Sequence, residues 1–149
     1  MTYQQTSRGF VIRIESGEPI IHTLLHFFDE QEIRGGLFVG IGAVSEATVG
    51  MYHTDILEYR FTTFDTPLEI TNLTGNVSVH NENLVVHAHV TLADERQNAF
   101  GGHLEEAVAL PTCEVFFEDT GRELNRTVDD ESLLALFDLE REEHEEEPI

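Results

Sequence analysis

Residues 84–92 read Leu-Val-Val-His-Ala-His-Val-Thr-Leu, and the interpretation of the whole chain depends on this stretch. Its many β-branched residues predict a β-strand. Side chains two positions apart in a strand leave the same face of the sheet, so the imidazoles of His87 and His89 project side by side. The polar segment 80–83, His-Asn-Glu-Asn, separates this strand from an apolar segment that starts at residue 76, which predicts a hairpin.

A helix is predicted near the N-terminus, after a short strand over residues 10–14. The segment Ser16-Gly17-Glu18-Pro19 ends that strand and starts the helix, because proline is favoured in the first helical turn. Apolar side chains then recur at helical spacing, and we expect the helix to end near Glu32. The apolar stripe consists of Ile20, Ile21, Leu24, Leu25 and Phe28.

Beyond Gly35-Gly36 the apolar residues recur with a period of two, which predicts a series of strands. The predicted strands cover residues 37–44, 47–52, 57–61, 68–73, 76–80, 84–92, 112–118 and 123–127. Residues 93–102 predict a polar loop, and residues 133–137 predict a short C-terminal helix with acids at its positive end. One main helix followed by many strands indicates an α+β fold with a largely antiparallel sheet.

The charge of the chain limits its partners. The 149 residues, about one domain in length, include 29 acids and 8 basic residues, all Arg, for a net charge of −21. An acidic composition without Lys is typical of extreme halophiles, because at about 1 M salt the Debye length falls to about 3 Å. The same charge disfavours direct binding to nucleic acid and to anionic membranes. We assign one domain to residues 1–139 and an acidic, disordered tail to residues 140–149.

Several features favour a soluble cytoplasmic protein. The longest apolar stretches, such as residues 35–44, are far shorter than the roughly 20 residues that a membrane helix needs. The N-terminus has no basic segment followed by an apolar one, so no signal peptide is predicted. Cys113 is the only cysteine, which excludes an intrachain disulfide. Its place in a predicted strand favours a buried structural thiol over a nucleophile.

The strongest chemical signal is a set of three histidines. His87 and His89 share one face of a strand, and His103 follows Gly101-Gly102, which lets the backbone bend and approach a neighbouring strand closely. Imidazole is a preferred zinc ligand, and three histidines with one open position form a water-bearing zinc site. The alternative is that these are polar side chains on a half-exposed strand. A simple hairpin would also place His103 some residues along from His89, so the loop would have to fold back or a neighbouring subunit would have to supply the third ligand.

The other histidines give weaker signals. His22 and His26 stand four residues apart on the predicted helix but lie off its apolar stripe, so we expect a solvated face. We assign no role to the remaining three, which are His53, His80 and His144. The segment 40–44 contains Gly-x-Gly without the third glycine of a dinucleotide site, and no phosphate-binding loop or Gly-x-Ser-x-Gly motif occurs. Any enzymatic activity therefore depends on the metal.

Short segments occur in a characteristic order along residues 8–138. They are Ile14-Glu15-Ser16-Gly17-Glu18-Pro19, Gly40-Ile41-Gly42-Ala43-Val44, Pro67-Leu68-Glu69-Ile70 with Leu73-Thr74-Gly75-Asn76, Val86-His87-Ala88-His89-Val90, Phe100-Gly101-Gly102-His103-Leu104 and Glu114-Val115. In this order they resemble the plant and prokaryote conserved (PPC) domain in its free-standing prokaryotic form.

The resemblance implies a compact α+β fold assembled as a homotrimer. It also implies that His87, His89 and His103 are ligands of a metal, with zinc the first expectation. Plant members join this domain to an AT-hook, a short basic segment that enters the minor groove of DNA. The nearest segment here, Ser7-Arg8-Gly9-Phe10, begins a strand, so the basic element that contacts DNA is missing.

Two functions follow from these expectations. The first is a trimeric metal-binding module, structural or regulatory, that contacts other proteins or a small ligand. The second is a metal-dependent enzyme in which a metal-bound water, its pKa lowered toward about 7, acts as nucleophile or base with help from Glu105 or Glu106. A weaker third option is a DNA-associated regulator that acts through a partner or in high salt. That option predicts duplex binding, which the charge of −21 disfavours.

Overall fold

The computed structural model describes residues 1–139, which form nine strands and one α-helix. In chain order these are β1 (Thr2–Gln5), β2 (Gly9–Glu15), α1 (Ile20–Glu30), β3 (Gly36–His53), β4 (Glu58–Phe64), β5 (Leu68–His80), β6 (Asn83–Ala93), β7 (Ala99–Asp119), β8 (Arg126–Val128) and β9 (Ala135–Phe137). The predicted combination of an N-terminal helix with a largely antiparallel sheet is confirmed. The helix is not long and apolar enough to cross a membrane, and α1 is the helix found in residues 1–139.

Seven strands form one antiparallel sheet in the order β1-β2-β7-β6-β5-β3-β4. The strand β7 has 21 residues and also pairs with β3, so the pairings β3–β5, β5–β6, β6–β7 and β7–β3 form a closed circuit. The inward faces of these strands meet the buried stripe of α1. A second, two-stranded sheet of β8 and β9 lies beside β5, where Val79 bridges Asn125.

The core is apolar and rich in phenylalanine. The rings of Phe27 and Phe28 on α1 are fully buried, and the ring of Phe28 lies 4.6 Å from that of Phe117 on β7. Each such side chain stabilises the fold by about 1.5–3 kcal/mol relative to an exposed position. Cys113 is also fully buried in this core, as the sequence predicted.

The start of α1 depends on a residue from a distant strand. Pro19 is the N-cap, one position before the first helical residue, and its side chain gives no capping hydrogen bond. The Glu106 carboxylate of β7 instead accepts hydrogen bonds from the backbone N–H groups of Ile21 (2.8 Å) and His22 (3.0 Å). A carboxylate at this end is favourable because the unpaired N–H groups of a helix carry a partial positive charge.

Several strands are longer than the sequence predicted. The two strands expected over residues 37–44 and 47–52 are one continuous strand, β3, with register shifts near Gly42. The predicted loop 93–102 is also shorter, because strand pairing resumes at Ala99. Single glycines and polar residues interrupt the sequence pattern, but the strand continues through the local register shifts.

The predicted C-terminal helix over residues 133–137 is wrong. Residues 135–137 form strand β9, which pairs with β8. The Asp129 carboxylate accepts hydrogen bonds from Ser132 N and Ser132 Oγ, and Leu133 has a φ of 56°, so this segment turns before a helix can start. Five residues are also too few to nucleate a helix alone. The predicted tail 140–149 lies outside the described residues.

Candidate metal centre

The three candidate ligands converge on the outer face of the sheet. His87 and His89 leave the same face of β6, and His89 is paired directly with His103 on β7. One nitrogen of each ring lies within 4.8 Å of the others. The expected displacement of His103 along the hairpin does not arise, because β7 starts at Ala99 and brings His103 level with His89. The cluster forms within one chain.

Two glycines make this register possible. A Cβ atom at Gly101 would overlap the carbonyl oxygen of Val90 on β6, and one at Gly102 would lie 2.5 Å from the carbonyl oxygen of Gly50 on β3. No side chain fits in these gaps, so the strand can pass between its neighbours only with Gly-Gly at this point. The sequence correctly indicated a close backbone approach here.

The ring geometry and burial fit metal ligation. The ring centroids lie 5.3 Å apart for His87 and His89, 5.1 Å for His87 and His103, and 5.7 Å for His89 and His103. The Nδ1 atom of His103 is buried and has no hydrogen-bond partner within residues 1–139. A buried polar atom left unpaired costs about 1–3 kcal/mol. A metal ion would supply the missing partner, and the exposed His89 leaves one side of the cluster open to solvent.

The surroundings keep two of the rings uncharged. Burial, and then the charges of His103, Arg126 and His89, lower the pKa of His87 to about 4. Burial and the neighbouring His89 also lower the pKa of His103, while the charge of Glu105 acts in the opposite direction. Both imidazoles are therefore neutral near pH 7, which is the form that ligates metal ions.

An aromatic group borders the cluster on the side of β3 and β4. The ring of Tyr59 lies 4.8 Å from that of His103, and the ring of Phe61 lies 6.4 Å from it. Tyr52 packs behind Tyr59 at 5.0 Å, and its hydroxyl donates to the carbonyl oxygen of Ser132 in the turn between β8 and β9. Burial, Tyr52 and Glu105 raise the pKa of Tyr59, so its hydroxyl stays protonated.

The two carboxylates considered from the sequence have different positions. Glu105 lies two residues after His103 on β7, is exposed, and acts electrostatically on His103 and Tyr59. The Glu106 carboxylate is instead engaged at the start of α1. Of the two, only Glu105 is placed to influence the cluster.

The other histidines lie away from the cluster. His22 and His26 are on α1, and His26 is exposed and 3.5 Å from Glu30. His53 ends β3, and the ring of His80 on β5 lies 3.1 Å from the carbonyl oxygen of Arg126. His144 lies outside the described residues. Cys113 is far from a nucleophile in character, because burial and Glu114 raise its pKa to about 12.

Sequence reasoning missed Tyr59, Phe61 and Arg126 as neighbours of the cluster. The first two stand in a segment that reads as an ordinary alternating strand, and Arg126 lies within the short predicted strand over residues 123–127. Their proximity depends on strand pairings between residues far apart in the chain, such as Gly50 with both Phe61 and His103. No local signal encodes such a pairing.

Comparison with known proteins identifies the family. The model of the Plants and Prokaryotes Conserved (PCC) domain, the family called PPC above, matches residues 1–120, which confirms the resemblance drawn from the motifs. A search among functionally curated proteins finds no match to this chain.

Three solved structures illustrate the similarity. A metal-containing protein from Archaeoglobus fulgidus is 32% identical, with a TM-score of 0.82 over 94% of this chain and 99% of that one. A proposed DNA-binding protein from Bacteroides thetaiotaomicron is 31% identical, with a TM-score of 0.90 over 94% and 98%. A plant- and prokaryote-conserved protein from Pyrococcus horikoshii is 27% identical, with a TM-score of 0.82 over 94% and 96%.

Proposed function

The chain belongs to the plants and prokaryotes conserved domain family, and on that premise we propose that it is a cytoplasmic, homotrimeric metal-binding module. His87, His89 and His103 hold one divalent ion per chain, with zinc the first candidate. The module contacts a small ligand or another protein at this site. The relative from Archaeoglobus fulgidus, described as metal-containing, supports the proposal.

The convergence of the three histidines carries this proposal. Their nitrogens lie within 4.8 Å of one another, and the buried Nδ1 of His103 lacks a partner within residues 1–139. Structural zinc sites in proteins usually have four protein ligands, whereas sites with three keep an open position. When bound, a zinc ion supplies Lewis acidity and lowers the pKa of a coordinated water toward about 7.

Metal content tests the proposal. Untagged protein, purified in molar salt to suit its halophile-like composition, should contain about one divalent ion per chain by mass spectrometry. His103→Ala should lose the ion, whereas His22→Ala, which removes an imidazole from α1, should keep it. Wild-type protein that neither retains zinc after purification nor takes it up during dialysis would contradict the proposal.

An exposed apolar surface supports the trimer. Leu37, Val39 and Ile41 alternate along the outer face of β3 at 50%, 44% and 61% exposure, and Phe116 of β7, paired with Val39, is 62% exposed. A contiguous apolar surface of this kind marks an interface, and in a homotrimer the partner is a second copy of the chain.

Light scattering after size exclusion tests the assembly. We expect the mass of three chains for the wild type and a smaller mass for Phe116→Glu, because a carboxylate on this surface would be buried without a partner. Met51→Glu is the control, since Met51 is also exposed on β3 but is paired with Arg60 at the other end of the strand. A wild-type mass of one chain would contradict the trimer.

The metal-dependent enzyme remains a second candidate, because one side of the cluster is open and Glu105 and Tyr59 border it. An open site admits exchangeable water, whereas a fully coordinated structural site does not. Water-proton relaxation by the Mn²⁺- or Cu²⁺-loaded protein separates the two. Fast exchange of water at the bound ion favours the enzyme, and the absence of exchanging water favours a structural site.

Direct DNA binding is the least supported function. Two relatives are described as proposed DNA-binding proteins, but the 149 residues of this chain carry a net charge of −21, with 8 basic residues against 29 acids. Binding to duplex DNA depends on Lys and Arg contacts that release counterions. We expect no change in the fluorescence anisotropy of a labelled DNA duplex in either low or molar salt. Duplex binding that weakens as the salt concentration rises would instead support a DNA-associated regulator.

A further inference from the structure

Arg126 lies on the outer face of the sheet beside the histidine cluster. Its Nε donates to Ser78 Oγ at 2.7 Å, and its Nη2 donates to Asn76 Oδ1 at 2.8 Å. Asn76 is paired directly with His87, and the Cβ atoms of such pairs lie about 4.5–5.5 Å apart. The guanidinium is therefore held one strand away from the cluster, and its charge acts on His87.

The fixed partners of Arg126 are all uncharged. Its Nη1 donates to the carbonyl oxygen of Ala135 at 2.7 Å, and its Cζ lies 4.2 Å from the centroid of the Phe137 ring. Although the chain has 29 acids, Arg126 forms no salt bridge within residues 1–139. A partly buried guanidinium without a counterion is costly, so a bound anion would stabilise it.

The three hydrogen bonds of Arg126 do not use all the N–H groups of its guanidinium. Arginine has five N–H groups, and the three hydrogen bonds use one each on Nε, Nη1 and Nη2. One N–H group remains on each terminal nitrogen. Two such donors match the two oxygens of a carboxylate, because a guanidinium commonly binds a carboxylate through two parallel hydrogen bonds.

The opposite side of the cluster offers apolar contact. The strands that carry these residues are neighbours in the sheet. Asn76 is on β5, the histidines are on β6 and β7, Gly50 follows on β3, and Phe61 lies beyond it on β4. Gly50 has no side chain, so the rings of Phe61 and Tyr59 reach to within 6.4 Å and 4.8 Å of the His103 ring. The β8–β9 hairpin connects the two sides, because Ser132 is bonded to Tyr52 and Arg126 to Asn76.

We propose that this face is the binding site of a small organic carboxylate. The carboxylate accepts hydrogen bonds from Arg126, and the organic part lies in front of the histidine cluster against Tyr59 and Phe61. This inference rests on the proposed metal site and adds to it the chemical class of the ligand.

Pyruvate binding to the Co²⁺-loaded protein tests the inference, with the visible absorption of cobalt as the readout. Titrations are made at one fixed molar salt concentration, where an exposed charge is screened within about 3 Å. Arg126→Gln should raise the dissociation constant by about ten- to a hundredfold, because a charge-assisted hydrogen bond is lost. Arg60→Gln is the matched control. Arg60 is exposed on β4 between Tyr59 and Phe61, so its side chain leaves the other face, and we expect less than a twofold change.

The outcomes separate this inference from the metal site. If the wild type binds no cobalt, both the metal site and this inference are wrong. If cobalt binds but Arg126→Gln keeps the wild-type affinity for pyruvate, only the carboxylate site is wrong. Tighter binding of inorganic phosphate than of pyruvate would also overturn it, because phosphate has no organic part. If Arg126→Gln does not bind cobalt, the same titration is made with Arg126→Lys. An affinity of Arg126→Lys for pyruvate equal to that of the wild type would overturn the inference.

Discussion

The two faces of β6 have opposite compositions over the same few residues. Ala88, Val90 and Leu92 point inward and are between 0% and 3% exposed, whereas His87 and His89 point outward. Because side chains alternate strictly along a strand, the inward set contributes stability and the outward set contributes chemistry. Mutations on the two faces should therefore have separable effects.

The largest effect on stability should come from the inward face. Leu92→Ala should lower the free energy of unfolding by about 2–5 kcal/mol, because it removes buried methyl groups and leaves a cavity. Chemical denaturation of the metal-free protein in molar salt measures this change. The folded variant should still bind one metal ion per chain. A loss of metal from folded Leu92→Ala would show that the faces are coupled.

The outward face should give the reverse result. His89→Ala should weaken metal binding by at least about a hundredfold, because one of three ligands is lost, and should change the stability of the metal-free protein by no more than about 0.5 kcal/mol. Competition with a chelator measures the first quantity and denaturation the second. Strong destabilisation without metal would mean that His89 is a structural residue.

The adjacent residues Glu105 and Glu106 of β7 should also differ in their effect on stability. Glu106→Gln should destabilise the protein by about 1–2 kcal/mol, because the carboxylate caps α1. Glu105→Gln is the matched control and should change stability by less than about 0.5 kcal/mol, because Glu105 is exposed. Thermal denaturation of both variants checks the difference. Equal destabilisation would contradict the capping role.

The smallest effect is expected at Cys113, which is buried and has a pKa raised to about 12. At pH 8 the thiol stays protonated in the folded protein, so it should react with a disulfide reagent only as fast as the chain opens. In guanidinium chloride it should react within the mixing time. Rapid reaction of the folded protein would show that this part of the core is open.

Local signals in the sequence predicted the helix, the antiparallel sheet and the shared face of His87 and His89. Gly101-Gly102 also indicated a close backbone approach, but the register that brings His103 level with His89 was not predicted. These predictions succeeded because strand period and glycine contacts are properties of a few adjacent residues.

The rest depended on pairings over long sequence distances. The register of β3 with both β5 and β7 joins predicted strands into one, and the pairing of β3 with β4 and β7 brings Tyr59 beside His103. The C-terminal segment was expected to be helical because its residues are apolar, but Arg126 and Phe137 fix it as a hairpin over β5. Tertiary contacts outweigh helix propensity in a segment this short.

X-ray absorption at the metal edge of the zinc-loaded protein measures directly which atoms bind the ion. We predict three imidazole nitrogens at about 2.0–2.1 Å and one further light ligand, with the imidazole signal reduced in His103→Ala. A coordination sphere of sulfur, of carboxylate oxygens alone, or of imidazoles that persist unchanged in His103→Ala would contradict it.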